Sequence, residues 1–323
     1  MGRWLQVLAA AGVLAAAGAA SAEVTVQKTT WRGHAALQLS NGTVELVLVT
    51  GIGPRIVRYA FTGGENILGE VAADAPATKT ALGDWYLYGG HRIWAAPEAM
   101  PRTYAPDNGP VDVKVDGGTV TLSQPVDAAG FRKIMTVTLA PSGTEVTVGN
   151  RVANASTAPI EIAPWALTVM NGGGVVIIPN EPYKSHADEL SPVRAMTAWA
   201  YTNLADPRWT LGQKYIRLRV DPSLKESQKI GVSNRRGWAG YFRQGLLFVK
   251  RYRWTEGGSY PDFGVNTETY TSENFVELET LGPLAALKPG ESASHEERWS
   301  LHKGVDIGTT EETLDKAMAA TIK

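Results

Sequence analysis

Thr271-Ser-Glu-Asn-Phe-Val-Glu-Leu-Glu-Thr-Leu-Gly-Pro283 decides how the rest of the chain is read. At a period of two, Val276 and Leu278 share one face of a strand, and Glu273, Phe275, Glu277 and Glu279 share the other. Gly282-Pro283 ends the run. A strand with an apolar back and carboxylates in front is either the solvated side of a one-faced sheet or the floor of a polar cleft. Glu is a poor strand former, and two on one face repel each other. The same repulsion would raise the pKa of one of them, as a general base requires.

Outward from that stretch the pattern is strand after strand. Val24–Gln27, Ala35–Leu39 and Val44–Val49 alternate or run apolar, with Asn41-Gly42 as a hairpin turn. Ile56–Phe61 closes on Gly63-Gly64. Asp116-Gly-Gly118 and Pro141-Ser-Gly143 mark two further hairpins. Strands resume at Tyr215–Val220, Gly240–Arg253, Phe275–Leu281 and Ser294–Leu301. Residues 181–214 break the rhythm and predict a long excursion with one short helix near Val193–Tyr201. Thr309-Thr-Glu-Glu312 reads as the cap of a C-terminal helix running to about Ala320, with Glu311 and Glu312 in its first turn. This cadence predicts an all-β sandwich with a short C-terminal helix.

The chain has 323 residues, no cysteine and a formal charge of −1. It opens with Arg3, an Ala/Leu/Val/Gly run to about Ala20, and Ala20-Ser21-Ala22, the plan of a secretory signal peptide cleaved after Ala22. The expectation is a periplasmic or secreted mature chain, residues 23–323, forming one β domain without membrane insertion. Removing 22 residues from 323 leaves 301, enough for a core that needs no disulfides. The charge balance and the lack of a basic, aromatic-interleaved run exclude a nucleic-acid partner. The Asn41-Gly-Thr43 and Asn154-Ala-Ser156 sequons read as turn chemistry.

Chemistry concentrates in Asp84-Trp-Tyr-Leu-Tyr-Gly-Gly-His-Arg-Ile-Trp-Ala-Ala-Pro-Glu98. Paired glycines permit close backbone approach, and Trp or Tyr faces suit sugar rings or fill a core. His91 and Arg92 directly after the glycines point to function. Arg55 precedes an apolar strand, and Lys250 ends one, as cleft cation or strand-end charge. Tyr260–Glu268 places Asp262, Asn266 and Glu268 in a polar loop whose spacing matches no metal motif. No Gly-x-Ser-x-Gly elbow, His-Glu-x-x-His or Walker loop occurs, so neither cofactor nor metal is expected. Acid/base chemistry by Glu, His and Arg remains, or binding without chemistry.

In order along the chain come Gly53-Pro-Arg-Ile56, Gly89-Gly-His-Arg-Ile-Trp94, Ala95-Ala-Pro-Glu98, Ala163-Pro-Trp-Ala-Leu-Thr-Val-Met170, Tyr260-Pro-Asp-Phe-Gly264 and Glu277-Leu-Glu-Thr-Leu-Gly-Pro283. Together they resemble the DUF4380 family of the galactose mutarotase-like (aldose 1-epimerase-like) superfamily, over nearly the whole mature chain. The resemblance implies a β-supersandwich with a carbohydrate cleft on the concave face of one sheet, and makes the carboxylate face of the opening strand its floor. It implies Glu279, in Leu278-Glu-Thr280, as the general base, with Arg55 and His91 lining the sugar site. The epimerases carry an Asn-His-Thr motif mid-chain where this sequence has Ala163-Pro-Trp-Ala-Leu-Thr168. The general acid is therefore expected from His91, with His186 second. Arg92 and Lys250 would hold hydroxyls or a uronate carboxylate, Trp94 and Trp165 would stack on the ring, and Glu98, Asp262, Glu268 and Glu277 complete the expected substrate site. The expected activity is mutarotation of a mono- or oligosaccharide, neutral or acidic. The alternatives are a non-catalytic sugar-binding module and a lyase or hydrolase of acidic glycans.

Overall fold

A computed structural model of the chain describes residues 23–322, and the expected signal peptide lies outside them. Two large antiparallel sheets pack face to face. The first runs in the order Thr25–Trp31, His34–Ser40, Val44–Val49, Arg55–Phe61, His91–Ala96, Ile160–Met170, Val276–Leu281, Thr267–Thr271, Gln228–Val232, Met196–Ala198, with Ala285–Leu287 beside the start of Ile160–Met170. The second runs Trp209–Leu211, Tyr215–Arg219, Val175–Pro179, Trp238–Arg243, Leu246–Tyr252, Ser292–Lys303, Val146–Asn154, Phe131–Leu139, Thr119–Ser123, Asp112–Asp116. The architecture is the expected β-supersandwich, nearly all strand with two short helices.

The quoted stretch shows why the sheets pack. Val276 and Leu278 point between the sheets into a cluster that runs from Leu39 to Leu301. Burying each such side chain contributes about 1.5–3 kcal/mol. Glu277 and Glu279 point the other way, yet all six residues of Val276–Leu281 are buried. The solvated-face alternative is therefore excluded: something covers that side too.

The hairpin at Asn41-Gly42 forms with Gly42 at φ 83°, and those at Gly117-Gly118 and Ser142-Gly143 form as expected. Both sequon asparagines are buried and spend their amides on turn carbonyls, Asn41 on Ala140 and Gly143, Asn154 on Ala158 and Leu287. Thr310, within the expected Thr309–Glu312 cap, caps a helix over Glu311–Thr321, which seats Leu314 and Met318 against Ile177, Trp238 and Val249 of the second sheet.

Two expectations fail locally, and one strand was not expected. Val193–Tyr201 is no helix: Pro192 precedes it, and Met196–Ala198 is instead a short edge strand paired with Gln228–Val232. That partner strand went unseen, because it is five residues long and broken by Gly231, where a Cβ would lie 2.7 Å from Val265 Cγ2. Gly240–Arg253 is a hairpin, Trp238–Arg243 and Leu246–Tyr252, turning at Gln244-Gly245, both with positive φ.

Candidate functional site: an aromatic-walled cleft on the first sheet

Five neighbouring strands supply the cleft floor, and alternation selects one residue in two from each. His91–Ala96 presents Arg92 and Trp94, and Ile160–Met170 presents Trp165 and Leu167 in register with them. Val276–Leu281 presents Glu277 and Glu279, which pair across to Tyr270 and Glu268 of the next strand. Lys229 comes last, opposite Tyr270. The glycine pair starts the Arg92 strand where nothing larger fits: a Cβ on Gly90 would lie 2.2 Å from the Ile56 carbonyl oxygen, and Gly89 has φ 93°. The Thr78–Thr80 and Gly83–Trp85 ribbon brings Thr78 and Trp85 over the floor, and Tyr104, Tyr201 and Phe275 complete the walls.

The enclosed volume is about 270 Å³. Pockets that hold drug-sized ligands span roughly 300–1,000 Å³, so a cleft just below that range is on the scale of one sugar ring. Trp85, Trp94, Tyr104 and Trp165 form one aromatic cluster, with Trp94 centred 5.1 Å from Trp165 and 4.9 Å from Tyr104.

Arg92 is the cation of the cleft. Its guanidinium lies 4.3 Å from the Trp85 ring and 4.1 Å from the Trp94 ring, and it is 3% exposed. Neither Nε nor Nη1 has a protein acceptor. Burial lowers its pKa to about 10, with Glu277 pulling the other way, so it stays charged at neutral pH. An unmet buried donor costs about 1–3 kcal/mol, more when charged. A ligand acceptor would relieve that cost.

Glu277 is the carboxyl on the cleft floor, at 8% accessibility. Burial first, then the Glu279 charge, lifts its pKa to about 7, against the opposing pull of Arg92. Such a group can both take and give a proton at neutral pH. Glu98, on the rim, accepts a short hydrogen bond from the Tyr104 hydroxyl.

Glu279 sits deeper. It is fully buried, does not line the cleft, and accepts from the Trp165 indole at 2.9 Å and from Lys229 at 3.4 Å. Lys229 also lies 2.7 Å from Glu268 and 4.6 Å from the rings of both Trp165 and Trp199. Burial opposes its charge, but Glu268 and Glu279 outweigh burial and hold its pKa well above the usual range. Glu268 is pushed well up by burial, with the Glu279 charge adding to the rise. One ammonium thus serves two buried carboxyl groups.

The expected site residues therefore divide. Arg92, Trp94, Glu98, Trp165 and Glu277 line the cleft, and Glu268 and Glu279 lie beneath it. Arg55 is buried alongside, paired with Asp107 at 2.6 Å and stacked 4.6 Å over Tyr88. Asp262 does not line the cleft; it belongs to a tight turn in which it and Phe263 have positive φ, and its carbonyl accepts from Thr197.

His91 and Lys250 require correction. His91 is odd where Arg92 is even, so it points between the sheets. There its ring bonds Thr168 at 2.8 Å and Asn150 at 3.1 Å and packs edge-on against Trp299. Burial lowers its pKa to about 4. Neither position nor charge suits a cleft acid, and the expected Glu279–His91 pair does not form. Lys250 is buried in the same interior, bonding Glu297 at 2.8 Å and the Leu278 carbonyl at 3.1 Å.

No family model and no curated protein matches the chain. Solved structures do. A putative mutarotase (YeaD) from Salmonella typhimurium aligns at 11% identity and TM-score 0.55 over 86% of this chain and 94% of that one. A galactose mutarotase-like protein from Lactobacillus casei aligns at 12% and 0.50 over 83% and 100%. A TPR-domain containing protein from Parabacteroides distasonis aligns at 14% and 0.56; the match covers 86% of this chain and about half (49%) of that one.

The fold is galactose mutarotase-like. On this mutarotase-like frame, sequence reasoning missed Lys229, Trp85, Tyr104, Tyr201 and Tyr270. A lone Lys in Gln228-Lys-Ile-Gly-Val232 was the available signal for the first, since a cation alternating with apolar residues marks a two-faced buried strand. Among the described residues no His, Cys, Asp and Glu cluster has the arrangement of a metal site. No described helix is long and apolar enough to cross a membrane.

Proposed function

We propose that the protein is carbohydrate-active and interconverts sugar anomers, with Glu277 as the proton-transfer group. The carrying observation is a ring-sized aromatic cleft whose charged lining is Glu277, Glu98, Arg92 and Lys229. Trp94 and Trp165 suit the C–H faces of a ring, and the carboxylates suit its hydroxyls. Glu277 takes the proton from the anomeric hydroxyl while a donor on the rim, the Glu98–Tyr104 pair, protonates the ring oxygen. The C1–O5 bond breaks to the open aldehyde, rotation about C1–C2 turns the carbonyl, and the reverse transfers close the ring on the other face. Arg92 would take a carboxylate or phosphate on the sugar, which makes an acidic sugar the favoured substrate. Membership of the DUF4380 family and a periplasmic or secreted location belong to the same reading.

The second reading is a binding module without chemistry. It is favoured by the absence of histidine among the residues lining the cleft, which leaves no counterpart of the epimerases' mid-chain acid. Anomer exchange of glucose, galactose and their uronic acids, followed by NMR, separates the two. Exchange above the buffer rate that Glu277→Gln abolishes supports the enzyme. Sugar binding with no exchange in either protein refutes it and leaves the module.

A further inference from the structure

A second concavity, of about 950 Å³, lies away from the cleft, between the turn after Gln228–Val232, the end of Leu246–Tyr252 and the start of Ser292–Lys303. Arg235, Arg236, Arg251, Arg253 and Arg298 line it. Its acids are Glu256 and Glu296, so five cations face two anions in a chain whose formal charge is −1. His295 in its wall adds no charge at neutral pH, because burial keeps its pKa at about 4.

Arg251 and Arg298 stand directly opposite each other in the register of their strands, which brings both side chains to one face of the sheet. The Arg235-Arg236 turn is pinned there as well. Gly237 has φ 65° and its carbonyl accepts from the Tyr252 amide at 2.9 Å, where a Cβ would lie 2.6 Å from the Tyr252 carbonyl oxygen. Arg253 and Arg235 make no ion pair with any described acid, and Arg298 reaches only Glu296, at 3.4 Å. A fixed turn and two strands thus line one concavity with arginines, of which Arg236 is shared with the neighbouring hollow that holds Asp315. Trp254, held flat on Tyr260 at 4.6 Å, gives it an aromatic edge.

We propose that this groove is a second binding site, for an acidic polysaccharide chain. Guanidinium forks match planar carboxylates and sulfate or phosphate esters in two-point contacts. Glu256 and Glu296, which would repel a uniform polyanion, accept from sugar hydroxyls, so the mixed lining fits a ligand carrying both acids and hydroxyl donors. A lipid surface is flat and does not enter a concavity, and a nucleic-acid strand would meet one tryptophan edge rather than a row of stacking faces. The groove does not depend on the chemistry of the cleft.

The test is calorimetric titration of the mature protein with oligogalacturonate, alginate oligomers and maltohexaose. The acidic oligomers should bind and the neutral one should not, with affinity falling steeply between about 0.1 and 1 M salt as the screening length drops from about 10 to 3 Å. Arg235→Gln/Arg253→Gln should weaken binding about tenfold or more at unchanged melting temperature. The milder Arg253→Gln should weaken it less. In Arg92→Met, whose cleft has lost its own contact to an acidic sugar, the groove should still bind the acidic oligomers, and Arg235→Gln/Arg253→Gln should remove that remaining binding, which separates this groove from the cleft. Equal binding of maltohexaose, equal or tighter binding of duplex DNA or of anionic phosphatidylglycerol vesicles, or full affinity in the double variant would each overturn the proposal.

Discussion

Replacing Lys229 by Met tests whether the cleft floor is a buried charge cluster. In the folded protein the ammonium lies 2.7 Å from Glu268 and 3.4 Å from Glu279, all three nearly or fully buried. At an effective dielectric constant of about 20, a unit charge 3.4 Å away attracts by about 5 kcal/mol. Desolvation offsets much of that, but removing one partner leaves the other buried and unpaired, at a cost of about 3–5 kcal/mol. For a chain of this size that corresponds to a fall of about 6–10 °C in melting temperature at neutral pH. The pH dependence gives the sharper signature. Glu268 already has a raised folded pKa, which the Lys229 charge opposes, so loss of the ammonium raises it further. A carboxyl whose folded pKa exceeds its unfolded value keeps its stability below the unfolded pKa and loses it as pH rises through the folded one. The deficit of Lys229→Met should therefore be largest at pH 7–8 and shrink on acidification towards about pH 4–5. Lys229→Met/Glu279→Gln should recover most of it. Thermal melts by circular dichroism from pH 4.5 to 8 measure this. A deficit that does not change with pH, or no recovery in the double variant, would refute the charge-cluster account.

Glu277→Gln should slow anomer exchange by about 10²–10⁴-fold while sugar affinity, measured by calorimetry, changes little. If Glu277 acts as the base, the wild-type rate should rise with pH through about 7, its shifted pKa, and a profile flat from pH 5 to 9 would remove it from that role. Arg92→Met should cut affinity for a uronic acid at least tenfold more than for the matching neutral hexose; equal losses would mean that Arg92 only packs between its two tryptophans. His91 and His295 both have folded pKa values lowered to about 4 by burial. Such stability is present above about 6.5 and lost as pH falls towards 4, at about 3 kcal/mol per histidine. Glu297 adds to the acid sensitivity: burial works to raise its pKa, but Lys250, His91 and His295 overcome that and hold it at about 2. Glu277 and Glu268, with raised folded pKa values, oppose the histidines over the same window, so the test is a difference: in denaturant melts the slope of stability against pH should be less acid-sensitive in His295→Asn than in wild type by about one proton, about 1.4 kcal/mol per pH unit.

The sandwich was legible because its signals are local. Asn41-Gly42, Gly117-Gly118 and Ser142-Gly143 each close a hairpin through a glycine at a turn or beside one, and the runs between them alternate. The cleft was half legible. Glu277, Trp94 and Trp165 announce themselves as polar or aromatic residues on one face of a strand. What escaped was whatever depends on long-range pairing. Lys229 lies on a five-residue strand whose one local signal is the lysine itself and whose place in the sheet is set by its partner Thr267–Thr271, and the edge strand Met196–Ala198 is paired only with Gln228–Val232.

The misplacement of His91 and Lys250 has one physical cause, and it clarifies the protein's design. In a buried sheet both faces are enclosed, so a polar residue no longer identifies the functional face; only parity along the strand does. Leu278 faces the core between Glu277 and Glu279, so any residue in register with Leu278 on its own face also points inward. Thr168 is in register with Leu278, and His91 with Thr168. His91 was thus excluded from the cleft by the same alternation that placed Glu277 in it. The interior it enters is polar all the same. His91 meets Asn150 and Thr168, Lys250 meets Glu297 and the Leu278 carbonyl, and Thr280 bonds both His295 and Glu297. These bonds grip the back of the very strand that presents Glu277. A cleft carboxyl must be held within a fraction of an ångström to work, and a strand pinned through Leu278 and Thr280 supplies that hold. Lys250→Met should therefore loosen the site strand as well as destabilise the chain, seen as faster amide exchange at Leu278 and Thr280 than at the distant strand Phe131–Leu139. Uniform acceleration across both would show that Lys250 contributes only to global stability.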